Sequence, residues 1–232
     1  MIGVTEKLAK TNALLANLCA RYERARDAVN LVAVSKKQPV AAIREVVAAG
    51  QFDIGENYVA EALQKQQALA DERIRWHFIG ALQSNKTRAV AENFDVVHTV
   101  DRLRIAERLS AQRPHYARPL DVFIQVNIDA EASKSGISPA ELGELAAAIA
   151  DLPKLRLAGL MCLPKQATEL AAQREPFRKL ARLARNLHEE RGMELGELSM
   201  GMSGDLEAAI AEGTTCVRIG TAVFGPRPGA SA

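Results

Sequence analysis

The chain has 232 residues, 48% of them hydrophobic, 25% charged and only 4% aromatic; these proportions exclude disorder, collagen and a disulfide-held miniature fold. Thirty Lys and Arg face 28 Asp and Glu, a formal charge of +2, so no global field attracts nucleic acid or an anionic membrane, and any anion it binds must be held locally. Cys19, Cys162 and Cys216 are odd in number, far apart and outside any C-x-x-C pair, which fits reduced thiols in a cytoplasmic protein and gives no metal site.

Along residues 4–26, Val4, Leu8, Leu15, Leu18 and Tyr22 fall at helical intervals, with no basic-then-apolar pattern of an export signal. The β-branched run 31–35 predicts a first strand, followed by a helix that Pro39 opens and Gly50 closes. Further apolar runs lie at 52–54, 76–79, 96–98, 122–128, 155–161, 198–200 and 217–219, none near the ~18 residues of a membrane span. Helix-periodic stretches separate them at 59–69, 86–93, 103–109, 139–150, 169–190 and 206–212. Eight strand–helix units predict an α/β fold, a single-domain (β/α)8 TIM barrel, with an open doubly wound sheet as the alternative. Residues 1–232 read as one domain, with residues 1–28 a leading helical segment and 226–232 a tail too short for a second domain.

In such barrels the chemistry sits at the C-terminal ends of the strands. Lys36, after the first strand, shares parity with Val32 and Val34, so if those two point inward its amine reaches the mouth. A lysine there can form a Schiff base once neutral, which requires burial or neighbouring cations to lower its pKa. Glu56 and Asn57 at the second exit read equally well as helix caps, and His77 on the third strand as a hydrogen-bonded interior histidine. Ser199-Met200-Gly201-Met202-Ser203-Gly204 and Arg218-Ile219-Gly220-Thr221 end the seventh and eighth strands, where barrels commonly bind phosphate. Glycine amides and hydroxyls there supply donors, while Asp205 reads as support for the next helix start. A Schiff-base lysine and a phosphate cup, expected on opposite sides of one mouth, match the two handles of pyridoxal 5′-phosphate (PLP).

Seven ordered motifs extend this reading. Ala33-Val34-Ser35-Lys36, Gly55-Glu56-Asn57-Tyr58, Trp76 to Gly80 with Leu82 to Lys86, Val126-Asn127 with Ser133-Lys134-Ser135-Gly136, Gly159-Leu160-Met161, Ser199 to Ser203 and Val217 to Thr221 closely resemble the pyridoxal phosphate homeostasis proteins. The resemblance covers about residues 30–225. It implies the fold-type III PLP-binding barrel of the alanine racemase N-terminal domain, with PLP covalent on Lys36. It also implies Ser199, Gly201, Ser203, Gly220 and Thr221 around the phosphate, Asn57, His77 and Met161 around the ring, and Arg218 facing the pyridine nitrogen.

A permanent cation beside that nitrogen weakens the ring as an electron sink, so the cofactor is held but poorly primed for carbanion chemistry. The family is understood as PLP carriers acting in vitamin B6 and amino-acid homeostasis, without an established reaction. Expected partners are PLP and apo PLP-dependent enzymes, with no nucleic acid or membrane, and a monomer is the expected form. A minimal PLP-dependent amino-acid racemase is the enzymatic alternative. A Schiff-base aldolase using Lys165 is a third reading, weakened because Pro164 precedes that lysine outside the strand.

Overall fold

A computed structural model of the chain describes residues 2–129, 135–193 and 195–226. Ser133 and Lys134 of the fourth motif, and all of the expected tail except Pro226, lie outside these residues. The eight expected strands form as β1 (Asn30–Val34), β2 (Asp53–Glu56), β3 (Arg75–Phe78), β4 (Val96–Val100), β5 (Leu120–Gln125), β6 (Leu155–Met161), β7 (Glu197–Ser199) and β8 (Cys216–Ile219). Each pairs in parallel with the next, and β8 closes on β1. The barrel is therefore closed, and the open-sheet alternative falls.

The connecting helices are α2 (Val40–Ala48), α3 (Val59–Ala68), α4 (Thr87–Asn93), α5 (Leu103–Gln112), α6 (Leu142–Ala150), α7 (Leu170–Arg191) and α8 (Leu206–Ala211). The leading helix, α1, spans Val4–Arg21 rather than reaching residue 26. It stops because Glu23 takes a left-handed φ of 53° and Arg24 N–H turns back to the Cys19 carbonyl at 2.8 Å. β5 ends at Gln125, short of residue 128, because Ile137 folds back to exchange hydrogen bonds with the Gln125 carbonyl and the Asn127 amide. A short helix that no periodicity announced, α9 (Thr221–Phe224), follows β8 and packs against α1.

Strand alternation divides the core in two. Leu31, Ala33, Val97, Ile124 and Leu160 face the helices in the larger cluster, while Val96, Phe123, Ala158 and Met161 fill the barrel interior. Ala158 and Met161 share the interior although three residues apart, because the register between β5 and β6 shifts at Val122/Phe123. At this bulge β6 runs close to β7, with Gly159 paired to Glu197.

Candidate functional site

The C-terminal ends of the strands surround a cavity of about 1150 Å³. Lys36, Asn57, Ser203, Arg218, Gly220 and Thr221 all lie on its wall. Sequence reasoning did not single out Gln125 or the loop holding Pro164, Gln166 and Thr168, which complete it. Gln125 ends a strand, the signal that exposed the others. A second, shallower hollow of about 720 Å³ near the start of β1 brings together none of the expected residues.

Ring closure corrects the expected layout. Because β8 pairs with β1, the Gly220–Thr221 exit is the neighbour of the Lys36 exit, and a Cβ placed on Gly220 would come within 3.1 Å of the Val34 carbonyl oxygen. This adjacency suits PLP better than opposition would, since the aldehyde and the phosphate arm sit on neighbouring carbons of its ring.

Lys36 occupies a tight turn in which Gln38 N–H donates to the Ser35 carbonyl at 2.9 Å. Lys37 sits at the third position with φ 59°, the left-handed value that glycine favours in a type II turn. Lys37→Gly is expected to stabilise the chain by about 0.5–1 kcal/mol, the left-handed cost removed less the extra entropy of glycine. Thermal melting checks this, and a fall in Tm would count against the assigned strain.

Outside the barrel wall, Glu56 is fully buried rather than serving as a simple cap. Its Oε1 accepts from Ser35 Oγ at 2.5 Å and from Lys65 Nζ at 2.6 Å. Burial raises the pKa of this carboxyl, and the Lys65 and Ser35 hydrogen bonds pull it back only in part. Asn57 does face the cavity, and its Oδ1 is buried without a hydrogen-bond partner among the described residues.

The remaining expected residues lie beneath the cavity rather than on its wall. Met161 packs in the interior cluster, and His77 belongs to a hydrogen-bonded row crossing the barrel. Arg218 Nη1 donates to Ser199 Oγ at 2.5 Å, and Ser199 Oγ lies 2.7 Å from His98 Nδ1. His98 Nε2 lies 2.9 Å from His77 Nδ1, and His77 Nε2 lies 2.7 Å from Asp53 Oδ1. Burial, reinforced by His77 and Arg218, holds the His98 pKa well below the ordinary histidine value, so this ring is neutral. Burial alone would raise the Asp53 carboxyl, but its hydrogen bond to His77 and the nearby Arg75 outweigh it and keep it ionised.

Arginine only donates and an ionised carboxylate only accepts. With a single proton on His77, the row has one sense: Arg218 to Ser199 to His98 to His77 to Asp53. His98, which sequence reading missed, shares parity with Val96 on β4 and stacks on Phe123 at 4.5 Å between ring centroids. Arg218 is also held by the Cys162 carbonyl at 3.0 Å. Burial lowers its pKa, yet a guanidinium remains charged. The adjacent Cys216 thiol is pushed up to about 12 by burial, which leaves it inert as a nucleophile.

At the seventh exit, Gly201 has φ 100°, and a Cβ there would lie 2.5 Å from that of Ala209, so only glycine lets this loop pass over α8. Its carbonyl accepts from Arg218 N–H at 3.0 Å. Asp205 Oδ1 takes the Met202 amide at 2.6 Å, which folds the loop and leaves Ser203 and Gly204 exposed at the cavity. Burial raises the Asp205 carboxyl, partly offset by that amide and by Arg218. The donor set fits PLP: an amine for the aldehyde, hydroxyls and loop amides for the phosphate, a guanidinium for the ring, and on Asn57 a buried acceptor with no partner among the described residues.

Residues 10–228 match the family model described as alanine racemase, N-terminal domain. The pyridoxal phosphate homeostasis protein of Pseudomonas aeruginosa is 53% identical over 227 residues, covering 98% of this chain and 97% of its own. The protein of the same name from Escherichia coli K12 is 50% identical over 230 residues, covering 98% of both. This chain belongs to the pyridoxal phosphate homeostasis protein family. Among solved structures, PipY of Synechococcus elongatus with PLP bound superposes with a TM-score of 0.83 at 37% identity, covering 96% of this chain and 100% of that one. Family membership and the closed barrel agree, because a racemase-type N-terminal domain is the same eight-stranded cylinder.

Proposed function

We propose that this chain holds PLP through a Schiff base to Lys36 and through its phosphate at Ser203, Gly220 and Thr221, and serves vitamin B6 and amino-acid homeostasis by keeping and releasing the cofactor. The observation that carries the reading is the convergence of Lys36 and the two loops on one cavity, at neighbouring strand ends. PLP binding in PipY, a relative at 37% identity, supports it. Bound PLP supplies an aldehyde that condenses with an amine, forming a C=N bond and releasing one water.

The chain's own residues do the rest. Lys36 provides the amine, and Ser203 and Thr221 donate hydroxyl hydrogen bonds to the phosphate, joined by loop amides near Gly220. Asn57 contributes its buried side-chain oxygen to the ring pocket. Arg218 faces the ring nitrogen and disfavours its protonation, which suits holding over carbanion chemistry. His77 and Ser199 act through Arg218, positioning it from below, while Met161 and Gly201 form the floor. The protein is read as a cytoplasmic monomer whose recipients are apo PLP-dependent enzymes.

The test is an absorption spectrum of the full chain with PLP, before and after borohydride, followed by peptide mapping. The expected result is an absorption band lost on reduction and a pyridoxyl group on Lys36. A chain that stays colourless, or a label on Lys165 with a sugar phosphate, overturns the proposal. Amino-acid turnover that disappears in Lys36→Ala would instead favour the racemase reading, for which the shared racemase-type domain is the supporting observation.

A further inference from the structure

Resting on that reading, we infer that Glu61, with the buried Glu56–Lys65 pair, is a positioning device that decides which of two consecutive amines, Lys36 or Lys37, meets the cofactor aldehyde. Two lysines in succession pose a selection problem, since both carry primary amines on flexible four-carbon stems. Side-chain chemistry does not distinguish them. The backbone must.

The turn is gripped on both sides of Lys36. Before it, the Ser35 carbonyl accepts from Lys65 Nζ at 2.7 Å, while the Ser35 hydroxyl donates to Glu56 Oε1 at 2.5 Å. After it, Lys37 N–H donates to Glu61 Oε1 at 2.5 Å, and the same oxygen accepts from Lys65 Nζ at 2.7 Å. Glu61 and Lys65 are four residues apart on α3, so one helix face holds both ends of the turn. Lys65 is itself nearly buried, at 5% exposure, although lysine is rarely found so deep unless paired.

Lys37 keeps a left-handed φ that costs energy for any residue with a Cβ, and such a conformation persists only when its surroundings impose it. The outcome is asymmetric. Lys36 lines the cavity, while Lys37 is exposed and lies off the cavity wall among the described residues. Releasing the Lys37 amide lets the turn relax and brings the second amine into competition. The reaction being allotted is the same for either lysine: nitrogen bonds to the aldehyde carbon, the carbonyl oxygen departs, and the two amine protons leave with it as water.

The experiment loads the full chain with PLP, reduces with borohydride and quantifies the pyridoxyl group on Lys36 and Lys37 by peptide mass spectrometry. Wild type is expected to carry it on Lys36, with Lys37 at background. Glu61→Ala, which removes a charged acceptor, is expected to raise the Lys37-to-Lys36 ratio roughly tenfold or more. Glu61→Gln keeps an acceptor oxygen and is expected to restore the wild-type ratio, a rescue that general loosening of α3 would not give. Ser35→Ala cuts the grip on the other side and is expected to shift the ratio in the same direction, which keeps the test decisive should Glu61→Ala fail to fold. An unchanged ratio in a folded Glu61→Ala or Ser35→Ala chain, with wild type labelled on Lys36, overturns the inference and leaves the functional reading standing. Wild-type label on neither lysine overturns both.

Discussion

Replacing Gly159 by alanine is expected to abolish folding, or to cost more than about 4–5 kcal/mol, the upper end of single-substitution effects. At the bulge of β6 an added Cβ would stand 1.7 Å from the Glu197 carbonyl oxygen and 2.6 Å from its carbon. Those atoms are backbone in the paired strand, so no rotamer change can relieve the overlap. Relief would require β7 to move away from β6, and β7 is only three residues long, with Ser199 at its end anchoring the buried row. Soluble expression and far-UV circular dichroism read the outcome directly. A Gly159→Ala chain with near-wild-type Tm would show that the bulge has slack that this close approach does not suggest.

Lys65→Met should cost about 3–5 kcal/mol at neutral pH, the usual penalty for stranding one member of a buried ion pair. The mechanism makes the loss depend on pH in a defined direction. Glu56 already has a raised carboxyl pKa because burial disfavours its charge, and deleting the ammonium raises it further. A group whose folded pKa lies above its unfolded one binds its proton more tightly in the folded state. Stability from that proton is present at low pH and is lost as pH rises from the ordinary glutamate range through the folded pKa. The variant should therefore lie close to wild type near pH 5 and far below it near pH 8 in urea titrations. An equal loss at both pH values would place the cost in packing rather than in the lone carboxylate.

Much of the architecture was legible because a closed parallel barrel is repetitive: each strand is a short apolar run, and each helix is set off by its period. Lys36 lines the cavity, the side that parity with Val32 and Val34 suggests, although it sits in the turn after β1 ends at Val34. Parity failed where strands bulge. Neither the shared orientation of Ala158 and Met161 nor the close approach at Gly159 can be counted out along a chain. Contacts between distant elements were also hidden. His77 was readable as an interior histidine, but its partners come from β2 and β4, and the deciding neighbour of Glu56 is a helical lysine nine positions later. The adjacency of the first and eighth exits follows from ring closure, which belongs to the whole sheet and to no local segment.

With a single proton on His77, the row from Arg218 to Asp53 is polarised like a line of compass needles, each fixed by the one before it. None of the three intermediate groups can be turned over singly: reversing His98 alone would set two donors face to face at one side and two acceptors at the other. A proton delivered to His77 would have to flip both imidazole links and turn the Ser199 hydroxyl away from His98. Opposite mouths of the cylinder thus share one electrostatic history, written in hydroxyl and ring orientations rather than in any displacement of the backbone.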